Sequence, residues 1–210
     1  MVDRSLRGSR LAPLTGLLFV VLTLASFSIG GEPPDADAPP GEVVEYWVDH
    51  EDSGMVGALV EALAATSLVF FGATLHRALR AVAPDGPLPA AAFGGAVVAA
   101  AGIGVDASLR FAAADLAGDV SPEVLQTING LWSDFFFPMV VGMAALVLAA
   151  SLAALAARAL MPAWMAWIGV LVFVVLFTPA GFVGFLVGGV WIAALSILLW
   201  RRADRAPAVA

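Results

Sequence analysis

Apolar residues in this chain arrive in long uninterrupted blocks, at about residues 11–30, 55–75, 89–109, 131–155 and 161–200. A helix rises about 1.5 Å per residue, so crossing a hydrocarbon core of about 30 Å takes about 20 residues. Each of the first four blocks is long enough for one crossing. The last, at 40 residues, would be about 60 Å long as one helix. Thr178-Pro179-Ala180-Gly181 near its middle supplies a break, because proline removes a backbone donor and clashes with the preceding turn. The expectation is an all-α polytopic membrane protein: one bundle over 1–210, with spans at about 11–30, 55–75, 89–109, 131–155, 162–177 and 182–200. The first block follows Arg4, Arg7 and Arg10, as in a signal peptide, but its apolar stretch is long for that role and it is read as a retained span.

The polar intervals have their own patterns. Residues 31–54 form an acidic outer loop that opens with Glu-Pro-Pro-Asp-Ala-Asp-Ala-Pro-Pro, where prolines and mutually repelling carboxylates predict a flexible segment. From Gly41 onward Val43, Val44, Trp47 and Val48 recur at helical spacing opposite Glu42, Glu45, Asp49 and Asp52. That periodicity predicts a short amphipathic helix at the membrane surface. Ser121-Pro122-Glu123 reads as a helix start, leading without a break into the fourth block.

Arginine placement orients the spans, because cytoplasmic flanks collect basic residues. With six spans and the N-terminus inside, Arg4, Arg7, Arg10, Arg77, Arg80, Arg158, Arg201, Arg202 and Arg205 face the cytoplasm, and Arg110 alone lies outside. Both termini are then cytoplasmic. Acidic residues concentrate on the outer side, leaving +6 inside and −13 outside, together the net −7. Such a layout attracts cations to the outer mouth and repels anions. It leaves no basic face for nucleic acid. The absence of cysteine and lysine excludes disulfides, thiolate metal sites and Schiff-base chemistry. The expected location is the bacterial plasma membrane, with lipid as the first partner.

Four ionisable residues fall within or beside the outer halves of spans: Glu61, Asp106, Arg110 and Asp134. Charges in spans are costly and turn toward one another or a wet cavity, which makes these four the candidate ligand- or ion-binding site. Arg110 follows Asp106 by one helical turn, so the two can pair along one face. Asp106 and Asp134 also lie near enough to helix ends to reach water by snorkelling, and Glu61 is the deepest of the acids. His76 beside Arg77 suits the C-terminus of the second span, and His50 stands in a solvated acidic run. Gln126, Asn129 and Ser133 form a polar stripe that faces either the same pocket or water. Gly184 and Gly188 permit a close helix contact, within the bundle or between copies. No catalytic motif, metal-ligand set or cofactor fingerprint is present in a fitting context.

The segments Val-Glu-Tyr-Trp-Val-Asp-His at 44–50, Leu-His-Arg-Ala-Leu-Arg at 75–80, Pro-Ala-Trp-Met-Ala-Trp-Ile-Gly at 162–169 and the closing Leu-Leu-Trp-Arg-Arg give the chain a resemblance. It resembles the six-helix bacterial membrane proteins of the domain of unknown function 4386 type. That resemblance implies a fold and a membrane location, with no activity or site residues to carry over. The expected function is binding or movement of a small polar solute or cation through an outward-facing polar pocket. The alternative is a scaffold that engages a membrane-protein partner or a second copy through the acidic segment 41–53 and the last helix.

Overall fold

A computed structural model describes residues 11–31 and 33–205, with side chains described to Ala203. Arg4, Arg7, Arg10, Glu32 and the side chain of Arg205 therefore lie outside the described residues. A single 3-10 turn at Ala12–Leu14 leads into α1 (Thr15–Ser28), followed by α2 (Pro40–Asp49), α3 (Glu51–Val82), α4 (Leu88–Asp115), α5 (Pro122–Asp134), α6 (Phe137–Ala157), α7 (Ala163–Leu176) and α8 (Gly181–Arg205). No strand occurs among the described residues. Four stretches are long and apolar enough to cross a membrane: Glu51–Val82, Leu88–Asp115, Pro122–Ala157 and Gly181–Ala203. Ala12–Ser28 and Ala163–Leu176 are shorter apolar helices. These are the elements of a multi-pass membrane protein.

The long and short apolar helices close into a ring. α1 packs on α3, α3 on α4, α4 on α6, α6 on α7, α7 on α8, and α8 returns to α1. At one end Ser196 of α8 donates to the Pro13 carbonyl at 2.5 Å and accepts from the Leu17 amide at 3.0 Å. That amide is one of the donors a helix N-terminus leaves without an intrahelical partner. The same end carries Arg77, Arg80, Arg158, Arg201 and Arg202 on the helix termini. Here the ring is solid, filled by Phe71, Leu75, Leu79, Leu146, Ile192 and Leu195.

The closest crossing is between α4 and α6. A side chain at Gly142 would lie 2.7 Å from the Gly95 carbonyl oxygen, and one at Gly95 would lie 2.7 Å from the Gly142 carbonyl oxygen. In lipid, where apolar faces gain no hydrophobic energy by leaving lipid tails for one another, such small-residue contacts supply the dispersion energy of association.

At the end opposite the arginines, α2 and α5 form a second layer. Val43 and Trp47 of α2 are buried with Leu125 of α5 and Ala113 and Ala114 of α4. The amphipathic helix predicted for the membrane surface therefore lays its apolar face on protein. Its outer neighbour Val48 stays 48% exposed.

The helix that starts at Ser121 does not run on into the fourth block. α5 stops at Asp134 and α6 begins at Phe137, because Pro138 has no amide to donate to the Asp134 carbonyl and its ring would strike that group. The Phe136 amide takes the Asp134 carbonyl instead, at 3.0 Å.

Candidate functional site

The ring is hollow at the end that carries α2 and α5. α7 has 14 residues and so spans about 21 Å, some 9 Å less than a hydrocarbon core. It is anchored at the arginine end, where Trp191 donates to the Met165 carbonyl at 2.9 Å. The shortfall therefore lands at the other end, and the α7–α8 turn sits low in the ring. A cavity of about 580 Å³ lies above it, reached from α1, α3, α4, the α5–α6 break and the α7–α8 turn.

Glu61 and Asp106 stand on its wall. Glu61 is ten residues into α3 and Asp106 nine residues before the end of α4, so each lies about 14–15 Å along its helix from that end. Because the two helices run antiparallel, these depths coincide. The two carboxyl groups are neighbours on this wall and interact with each other. Trp132 donates its Nε1–H to Asp106 Oδ2 at 3.2 Å. Glu61 is 8% exposed. Asp106 is half-buried.

Arg110 is turned away from this pair. It is 7% exposed, and its guanidinium donates to the Ser26 carbonyl at 3.2 Å, to Ser26 Oγ at 2.9 Å and to the Ile29 carbonyl at 2.5 Å. These carbonyls close α1, where unpaired acceptors and the negative end of the helix dipole favour a cation. The one-turn spacing to Asp106 thus produces no ion pair, because the fork-shaped guanidinium matches several acceptors at the α1 end. The Arg110 charge still acts on Glu61, Asp106 and Tyr46 through space. Ser26 in turn donates to the Gly57 carbonyl at 3.1 Å. The Tyr46 hydroxyl donates to the Gly30 carbonyl at 2.8 Å. Burial pushes the Tyr46 phenol above its ordinary value of 10.0, against the opposing pull of Arg110.

Asp134 does not join the group. It is exposed and lines a separate shallow hollow with Gln126, Thr127 and Gly130, whereas its neighbour Ser133 reaches the cavity rim. The polar stripe on α5 is divided in the same way. Gln126 donates to the Ala38 carbonyl at 2.7 Å, and Asn129, fully buried, donates to the Pro34 carbonyl at 3.2 Å while accepting Trp47 Nε1–H at 3.0 Å. Both side chains pin the proline-rich loop and α2 to α5.

His50 Nδ1 lies 2.8 Å from the Tyr46 carbonyl, and its ring stacks on Tyr46 with centroids 4.4 Å apart. His76 Nδ1 lies 3.0 Å from the Pro89 carbonyl of α4. A carbonyl cannot donate, so in both rings Nδ1 carries the hydrogen. His76 therefore ties α3 to α4 rather than capping its own helix. Gly184 and Gly188 face α7 and α6: a side chain at Gly184 would meet the Leu176 backbone at 3.0 Å, and one at Gly188 would meet Val172 and Met143 at 3.4 and 3.5 Å. The glycine face of the last helix is thereby occupied within the chain.

The remaining wall is mostly apolar, with Phe27, Ile103, Phe136, Leu176, Phe182 and Phe185 prominent and the hydroxyls of Thr23, Ser26, Ser133 and Thr178 among them. Phe27, Phe136, Thr178, Pro179 and Phe182 are exposed, which marks them as the rim, and Glu61 is buried behind them. Comparison with protein families, curated proteins and solved structures finds no match to this chain, so its functional reading stands on its own geometry.

Proposed function

We propose that this chain is a bacterial plasma-membrane protein of six spans, with both termini in the cytoplasm, that binds a small polar solute or cation in an outward-facing pocket. The ring order supports six crossings, because each apolar helix packs beside its sequence neighbour and α8 closes on α1. The arginine-bearing termini then share the cytoplasmic face. α1 and α7 cross as short helices, extended by the 3-10 turn before α1 and by the α7–α8 turn. Kinship with the domain of unknown function 4386 proteins is part of the same proposal and adds no activity.

One observation carries the binding reading: two neighbouring carboxyl groups, held deep in spanning helices, line a cavity with an exposed rim. Burying such groups costs several kcal/mol when nothing compensates. A ligand that donates hydrogen bonds or carries positive charge offsets that cost. The scaffold reading is left with the acidic face of α2, since the glycine face of α8 is already packed.

The absence of cysteine makes a direct test possible. Glu61→Cys is expected to react with a small water-soluble thiol reagent added from the outer side, and Ala65→Cys, one turn deeper and buried, is expected to resist it. Equal resistance at both positions would refute an outward-opening pocket.

A further inference from the structure

The composition of the cavity wall narrows the ligand, on the reading that the cavity binds one. A volume of about 580 Å³ is in the range of pockets that enclose whole organic molecules, which are mostly apolar with a few placed polar groups. A bare ion would leave it nearly empty. A hydrated ion needs polar walls around its water shell, and here hydrocarbon from Phe27, Phe136, Phe182 and Phe185 outweighs the hydroxyls of Thr23, Ser133 and Thr178. Negative charge in the ligand is opposed by the acids. An uncharged apolar ligand would gain nothing from Glu61, whose burial would then stand uncompensated.

Charge complementarity supplies the remaining condition. Arg110 is the basic group that acts on both carboxyls, yet its donors are committed to Ser26 and Ile29 of α1. Among the described residues the pair therefore has no cation in contact with it. Aromatic faces on the same wall add attraction for an organic cation.

We infer that the cavity takes a lipophilic amine: a protonated amino head on the Glu61–Asp106 pair, and an apolar body of about ten carbons or more against the phenylalanines, for which each buried methylene contributes favourably. The approach lies between α1 and α8. Phe27 and Phe182 face each other there with ring centroids 6.3 Å apart, and both are exposed at 48% and 65%. Leu24 and Val183 beside them are exposed as well, so the mouth borders the apolar flank that these helices turn to lipid.

The test uses the full chain in nanodiscs of phosphatidylcholine, with Thr178→Cys on the cavity rim as the reporter and a neutral water-soluble maleimide as the reagent. Dodecylamine is expected to slow modification of this cysteine by about tenfold or more, in keeping with burial of a long apolar chain. Methylamine and dodecanol at equal concentration are expected to leave the rate unchanged. Adding Glu61→Gln with Asp106→Asn is expected to abolish the protection. Equal protection by dodecanol, or protection that survives the double substitution, would overturn the proposal. Protection by methylamine equal to that by dodecylamine would overturn the lipophilic class while leaving the pocket reading intact, and no protection by any amine would sink the lipophilic amine outright. If the double variant fails to fold, the comparison of dodecylamine with dodecanol in the otherwise unchanged chain still decides.

Discussion

Arg110 occupies the space that a side chain on Gly57 would fill. A Cβ at position 57 would lie 2.7 Å from Arg110 Nη1 and closer still to the rest of the guanidinium. Three helices meet at this point: α4 supplies the arginine, α3 supplies the gap, and α1 supplies the carbonyls that the arginine caps. The contact fixes the end of α1, and with it Ser26 and Phe27 on the cavity wall.

Gly57→Ala is accordingly expected to push Arg110 off the α1 carbonyls and to destabilise the protein by about 2–3 kcal/mol, through overpacking and lost charge-assisted hydrogen bonds. Gly104→Ala is the matched control, since a side chain there meets nothing within 4 Å. It is expected to be neutral or slightly stabilising, as alanine is the better helix former. Thermal unfolding in detergent reads both, and equal melting temperatures for the two variants would contradict the account.

Asn129→Leu is expected to free the second layer. It leaves the buried Trp47 N–H and the Pro34 carbonyl without their partner, a cost of about 1–3 kcal/mol for an unsatisfied buried donor. The loss falls on the docking of α2, so hydrogen exchange should rise across residues 33–49 while α6 and α8 keep their protection. A uniform rise across the bundle would count against this division into layers.

Ser196→Ala is expected to loosen the closure of the ring. The hydroxyl holds both the Pro13 carbonyl and the Leu17 amide, and removing it is expected to cost about 1–2 kcal/mol. Ser151→Ala is the contrast: its buried Oγ has no hydrogen-bond partner among the described residues, so its loss is expected to be neutral or mildly stabilising. A larger penalty at position 151 than at 196 would reverse the assignment.

Topology is testable with single cysteines at exposed positions. Asp37→Cys and Asp119→Cys are expected to react with an impermeant maleimide in intact cells. Asp85→Cys and Arg201→Cys are expected to react after permeabilisation alone. Labelling of position 201 from outside would remove one crossing and place the arginine-bearing end on the wrong face.

Tyr46→Phe is expected to lower stability by about 1 kcal/mol, since the hydroxyl's bond to the Gly30 carbonyl is lost. The raised phenol adds a pH dependence of definite sign. An acid with a raised folded value is stabilising while it stays protonated, so stability should fall as pH rises above about 10, where the unfolded tyrosine ionises. The fall in melting temperature above that pH should be smaller in the Phe variant.

Much of the architecture is legible in the residues alone because lipid imposes a simple rule. Buried backbone must satisfy its own hydrogen bonds, so apolar blocks become helices and their lengths follow from the rise per residue. Glu61 and Asp106 stood out for a related reason, as carboxylates where carboxylates are costly. The partners of those residues depend on side-chain direction and on which helices are neighbours, neither of which spacing reveals. The Asp106–Arg110 spacing suggested a pair, whereas the guanidinium found better acceptors on a helix some 80 residues earlier. Asp134 follows Ser133 directly in the chain, yet the end of α5 turns one into the cavity rim and the other to a separate hollow. Trp132 donates to Asp106 from the end of α5, a partnership that sequence spacing does not show. The cavity itself has no sequence signature: it exists because a short α7 is anchored at one end of a ring that only long-range packing closes.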